Sequence, residues 1–131
     1  MTLREKLIHH ANSGNPWAFR LLVMAVPDPL PPAVLRGWRD MEIRCLAVDM
    51  CRWLGDAATQ RQIALKLAAA GDWIEIGFKT LTVCPECLPL GRAEKQELAA
   101  RISRILDLAP GKWPARRQIE RIIFECVTKQ D

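Results

Sequence analysis

Four times the chain closes a helix-like stretch on glycine and at once offers a helix-starting residue, a tryptophan or both: Gly14-Asn15-Pro16-Trp17, Gly55-Asp56, Gly71-Asp72-Trp73 and Gly111-Lys112-Trp113-Pro114. Glycine is favoured just past a helix end because it enters the left-handed region without a Cβ clash. Asn and Asp accept hydrogen bonds from the free amides of the next helix, and Pro fits its first position. A helix that stops and restarts within two or three residues must pack against its neighbour. The pattern predicts an all-α fold of five to seven short helices packed as antiparallel pairs, a helical bundle or a small stack.

Composition supports a single helical domain over residues 1–131. Half of the residues are hydrophobic and 26% are charged, which excludes a disordered chain. A chain of this length buries a core without disulfide staples. Met1 to Lys6 hold no apolar stretch of signal-peptide length. The longest aliphatic run, Leu21 to Val26, stops at Pro27, far short of a membrane span. Five cysteines, an odd number at irregular spacings, suit a reducing compartment. The expectation is a cytoplasmic protein with no membrane contact.

Thr2 and Glu5 have the spacing of a capping box and open a first helix to about Asn12, with Leu3, Leu7, Ile8 and Ala11 on one face. A second helix starts at Asn15-Pro16 and ends before Pro27; Pro27 to Pro32 make a stiff connector. The third, about Pro32 to Leu54, is apolar almost all round. Val34, Leu35, Trp38, Met41, Cys45, Leu46, Val48 and Trp53 spread over a wide arc, so this helix is predicted to be central. Asp49 and Arg52 share that arc three residues apart and are expected to pair, the alternative being an acidic functional site at Asp49. Thr59 and Gln62 form a second capping box, for a helix carrying Ile63, Leu67 and Ala70 to Gly71.

Residues 72–83 alternate Ile74, Ile76 and Phe78 with Glu75, Gly77 and Lys79 in the manner of a strand. No second strand is on offer, so a short helix opened by Asp72 is expected instead. Beyond a loop at 84–91 come two amphipathic helices, about Arg92 to Leu108 and Pro114 to Val127. They make a C-terminal pair set off from a helical stack over 1–83. Most of the five tryptophans belong at helix-packing positions.

Asp40-Met41-Glu42-Ile43-Arg44 and Asp72-Trp73-Ile74-Glu75-Ile76 read as one pattern repeated, with Ile43 and Ile76 thirty-three residues apart, and Asn15-Pro16-Trp17-Ala18-Phe19-Arg20 has the look of another opening. Over residues 15–83 this resembles HEAT-type helical repeats, in which an Asp-x-x-Val-Arg-like turn starts the second helix of each pair. The resemblance implies a curved interaction scaffold and brings no catalytic residues.

The net charge of +4 is local. Residues 1–91 hold ten Lys and Arg against nine Asp and Glu, whereas residues 92–121 hold eight against four. Lys112, Arg116 and Arg117 surround the start of the last helix, where free amides and the macrodipole already favour anions. Arg101, Arg104 and Arg121 extend the patch. Glu97, Glu120 and Glu125 are spaced to serve Arg101, Arg116 and Arg121, which leaves Lys112 and Arg117 unneutralised. These six cations are the candidate contact for phosphate or nucleic acid, with Trp113 placed either to stack on a base or to pack inward.

Cys84-Pro85-Glu86-Cys87 is the sharpest local motif. Two thiolates at this spacing share a zinc ion, form a redox dithiol or stand as plain turn cysteines. Cys45 and Cys51 point to different sides of their helix, and His9 and His10 join a site only through the fold. A phosphate-binding glycine loop, HExxH, a nucleophile elbow and a spaced pair of acids are all missing. The leading expectation is a non-enzymatic adaptor, inhibitor or regulator, without a cofactor, binding a protein partner through a helical face, with an apolar patch expected around Phe78 and Leu88-Leu90. A nucleic-acid-binding protein using the basic patch, and a zinc-stabilised module built on Cys84 and Cys87, are the alternatives.

Overall fold

The computed structural model describes residues 2–13, 15–25, 30–55, 58–87, 89–109 and 112–130. They form α1 (Leu3–Asn12), α2 (Pro16–Ala25), α3 (Pro32–Leu54), α4 (Gln60–Glu75), α5 (Arg92–Leu108) and α6 (Arg116–Gln130), with one 3-10 turn at Pro85–Cys87. There is no strand among them, and no helix is long and apolar enough to cross a membrane. The all-α helical architecture expected from the sequence is the one the chain adopts.

Local chemistry sets most of the helix ends. Thr2 Oγ1 accepts from the Glu5 amide at 3.2 Å while Glu5 Oε2 accepts from the Thr2 amide at 3.3 Å. Thr59 and Gln62 repeat the exchange at 3.2 and 2.9 Å. Both capping boxes therefore form. α3 begins on prolines, where no helical amide bond is lost. It ends at Gly55, whose φ of 77° lies in the left-handed region and whose N–H donates to the Cys51 carbonyl at 3.0 Å.

The break expected at Gly71 does not occur. α4 runs on through Asp72 to Glu75 and stops at Gly77, where φ is 121°. The Gly77 amide donates to Ile74 O at 3.1 Å and the Phe78 amide to Trp73 O at 3.3 Å, the paired bonds of a glycine-terminated helix. The Phe78 ring stacks on Trp73 with centroids 4.1 Å apart, closing the motif with its usual apolar contact. The short helix expected over 72–83 is thus the last turn of α4 followed by turns.

Glycine at position 71 answers a different need. A Cβ built there would overlap the indole ring of Trp113. That ring lies against the bare backbone of α4, 5% exposed. Its N–H donates to Leu67 O at 3.1 Å, and the Trp113 amide donates to Glu75 Oε2 at 3.0 Å. Gly14 and Gly111, the other two expected stops, lie outside the described residues.

α3 is central, as its nearly uniform polarity predicts, and packs on every other helix. α1 and α2 pack on each other and on α3, burying Leu7, Ala11, Phe19 and Leu22; Leu3, expected on the same face, is exposed. α5 and α6 each pack on α3 and α4, with Leu98, Ile102 and Ile105 of one and Ile119, Ile122 and Ile123 of the other turned inward. Among the described residues they form no packed pair with each other, so they flank α3 and α4 instead of making a C-terminal hairpin. Asp40–Arg44 lies within α3 and Asp72–Ile76 spans the end of α4. Trp38 and Trp113 are buried and Trp53 and Trp73 half-buried; Trp17 alone of the five faces outward.

Candidate functional site

α2 turns Ala18, Phe19 and Leu22 into the core. The helical period then carries Trp17, Leu21 and Met24, at i, i+4 and i+7, to its other side as one stripe. Their exposures are 49, 45 and 83%. Trp17 rests against His10 of α1, with ring centroids 5.4 Å apart.

Beside this stripe a cleft of about 190 Å³ opens between α2, α3 and α5, lined by Phe19, Arg20, Met24, Trp38, Arg104 and Leu108. Glu42 of α3 lies between the two arginines and is 1% exposed. Arg20 Nη2 stands 3.9 Å from one of its oxygens and Arg104 Nη2 4.0 Å from the other. Those distances are too long for hydrogen bonds. Neither Glu42 oxygen, nor the buried Nε1 of Trp38, has a hydrogen-bond partner among the described residues. A buried carboxylate is repaid for its lost hydration only when it is closely paired and bonded, so this one adds little to stability. Two guanidiniums, 57 and 48% exposed, share a single buried anion. The rim of the cleft keeps a net positive charge and free N–H donors.

Two turns along α3 the same helix face is closed. Asp49 accepts from Arg52, the pairing its spacing predicts, and also from Arg101 of α5. Arg101 lies 3.8 Å from Glu97 as well. Burial by itself would raise the Asp49 carboxyl, but the bonds from Arg101 and Arg52 outweigh it and hold the group below its ordinary value. Asp49 is therefore an interhelical clamp. Cys45 sits between the two acids, its thiol pushed up by burial first and by the Glu42 charge second.

The six cations picked out in the sequence do not come together on one surface. Arg101 and Arg104 face α3, engaged by Asp49 and Glu42. Arg116 pairs with Glu120 at 3.9 Å, as expected. Arg117 and Arg121 line a groove of about 440 Å³ between α6 and the start of α4, where Arg61 and the exposed Phe124 join them. Lys112 is exposed beside Trp113, which packs inward. The Glu125 side chain expected to serve Arg121 lies outside the described ones. Arg61 was legible only as a helix-start residue, since 56 positions separate it from Arg117.

Cys84 and Cys87 are both buried, and their thiols interact. Burial, then the Cys84 contact, pushes Cys87 up to about 12, so the Cys87 thiol is not poised as a nucleophile or a ready ligand. Lys66 Nζ donates to the Glu86 carbonyl at 3.0 Å and fixes the turn to α4. Among the described residues no group of three or more His, Cys, Asp and Glu is placed to hold a metal ion. Of the apolar patch expected near Phe78, Leu90 is buried and Leu88 lies outside the described residues.

No known family, curated protein or solved structure matches the chain, and its own geometry is the basis for reading the site.

Proposed function

We propose that the chain is a non-enzymatic binding module that receives an amphipathic, acidic segment of a partner protein on the outer face of α2. The carrying observation is the stripe Trp17, Leu21 and Met24, three large apolar side chains exposed on one helical face. Such i, i+4, i+7 anchors are the usual contact set between an amphipathic helix and its partner, and clustered exposed apolar side chains mark interaction surfaces. Arg20 and Arg104 supply the electrostatic side. They flank the cleft with more positive charge than Glu42 neutralises, which favours carboxylates on the incoming segment. A second reading, nucleic-acid contact, is supported by the groove that gathers Arg61, Arg117 and Arg121 beside Phe124.

One set of variants separates the two. With a photo-reactive residue in place of Met24, the host cell should yield a discrete protein adduct. Leu21→Glu should abolish that adduct and Arg117→Ala/Arg121→Ala should leave it intact. An adduct insensitive to Leu21→Glu refutes the α2 reading. Anisotropy with short labelled DNA and RNA at about 50 and 200 mM salt tests the second: salt-sensitive binding lost in Arg117→Ala/Arg121→Ala would establish it.

A further inference from the structure

A separate cleft of about 500 Å³ lies between the turn at 79–82 and α5. Its α5 wall is one stripe running from Arg92 through Lys95 and Ala99 to Ser103; Lys79, Thr80 and Thr82 stand opposite. Three cations line it and no carboxylate does. Glu94, on the first turn of α5, folds back over Gly91 and leaves the wall. Lys79, Arg92 and Lys95 make no ion pair or hydrogen bond with any described residue, and the hydroxyls of Thr80, Thr82 and Ser103 are likewise uncommitted. A hollow that assembles three unpaired cations and three free hydroxyls is complementary to an anion with many acceptor oxygens.

The shape narrows the class. The floor includes the buried Leu81 and Ala99, an apolar bed for the organic body of a ligand. From Arg92 to Ser103 the helix rises about 16 Å, and the volume falls in the usual range for small-molecule sites. A nucleic-acid strand fits less well. The adjoining hollow, which shares Lys79 and Ser103, carries Glu75 and Asp107, and these would repel a phosphodiester chain leaving that end. We propose that the cleft binds a phosphorylated small molecule of nucleotide size, its phosphates gathered between Arg92 and Lys95 of α5 and Lys79 of the facing turn.

The test is calorimetric titration of the full chain with inorganic pyrophosphate, ADP and a ten-nucleotide single-stranded DNA. Pyrophosphate or ADP is expected to bind saturably. Lys79→Ala and Arg92→Ala, both at exposed positions that carry no packing, should each weaken binding about tenfold or more. Arg116→Ala/Arg117→Ala, on the far basic surface, should leave it unchanged. Silence of both small probes at millimolar concentration overturns the proposal, and so does binding that ignores Lys79→Ala and Arg92→Ala. Tighter binding of the DNA than of ADP, lost with the same two substitutions, overturns it in favour of a strand.

Discussion

Gly71→Ala reverses the sign that helix propensity dictates. In the interior of an ordinary helix this change stabilises by about 0.8–1.0 kcal/mol. In α4 the new methyl would fall inside contact distance of Nε1, Cε2 and Cδ1 of Trp113, so the indole must move. Trp113 is 5% exposed and has no room to tilt freely; overpacking of this kind costs about 1–3 kcal/mol. Moving the ring also breaks the 3.1 Å bond from its N–H to Leu67 O, and a buried indole donor left unsatisfied costs about 1–3 kcal/mol more. After the propensity gain the net loss should be about 3 kcal/mol, equivalent to roughly 10 °C in Tm for a domain of this size. Urea and thermal unfolding, followed by helical circular dichroism, give both numbers. The decisive arm is the Trp113→Ala background. With the indole gone, Gly71→Ala should become neutral or stabilising by up to about 1 kcal/mol, and the double-mutant cycle should show a coupling of about 3 kcal/mol. A Gly71→Ala protein more stable than the parent would refute the close-approach explanation.

Asp49 is held below its ordinary carboxyl value in the folded chain, so its stabilisation is present above the unfolded value near about 4 and is lost as pH falls through the lower folded one. Asp49→Asn should cost about 1–2 kcal/mol at pH 7 and flatten the acid limb of the urea midpoint below about pH 4; an unchanged acid limb would assign that loss to other groups. Toward a thiol reagent at pH 8, peptide mapping should find exposed Cys51 labelled first and half-buried Cys45 later. Cys84 and Cys87 should react only on unfolding. Labelling of Cys87 at the rate of Cys51 would contradict the burial of this pair.

What the sequence made legible was local. Thr2 with Glu5, Thr59 with Gln62 and Asp49 with Arg52 are contacts across three residues, and all are present. The centrality of α3 was readable too, because a helix with apolar residues all round has no face to give to water. Gly71 defeats the same logic. A glycine that ends a helix and a glycine that admits a ring from forty-two residues away are one letter, and only packing tells them apart. The true stop, Gly77, was masked because Ile74, Ile76 and Phe78 alternate across it. The basic stretch dissolved for a related reason. Arg101 and Arg117 are close in sequence, but α5 and α6 present them to different neighbours, Asp49 of α3 and the start of α4. The α2 stripe was hidden in a helix that is apolar on both faces, where no pattern says which face has a neighbour.

Glu42 and Asp49 bring these strands together. They lie seven residues apart on the same helix, each reached by arginines from the helices around it. At Asp49 the geometry is closed, with donors from Arg52 and Arg101 in contact and the carboxyl held ionised. At Glu42 it is left open: the acid is more deeply buried, yet both arginines stop about 4 Å away with half their surface in water. A purely structural role predicts the Asp49 arrangement at both places, because an unbonded buried charge is the more expensive one. The open arrangement leaves Arg20 and Arg104 free to take a carboxylate from outside while Glu42 keeps their mutual repulsion in check. It occurs at the rim of a cleft that Met24 lines, at one end of the exposed apolar stripe of α2. Three exposed apolar side chains and two guanidiniums half in water fall on one face, and a partner segment docking there would cover the first and pair with the second.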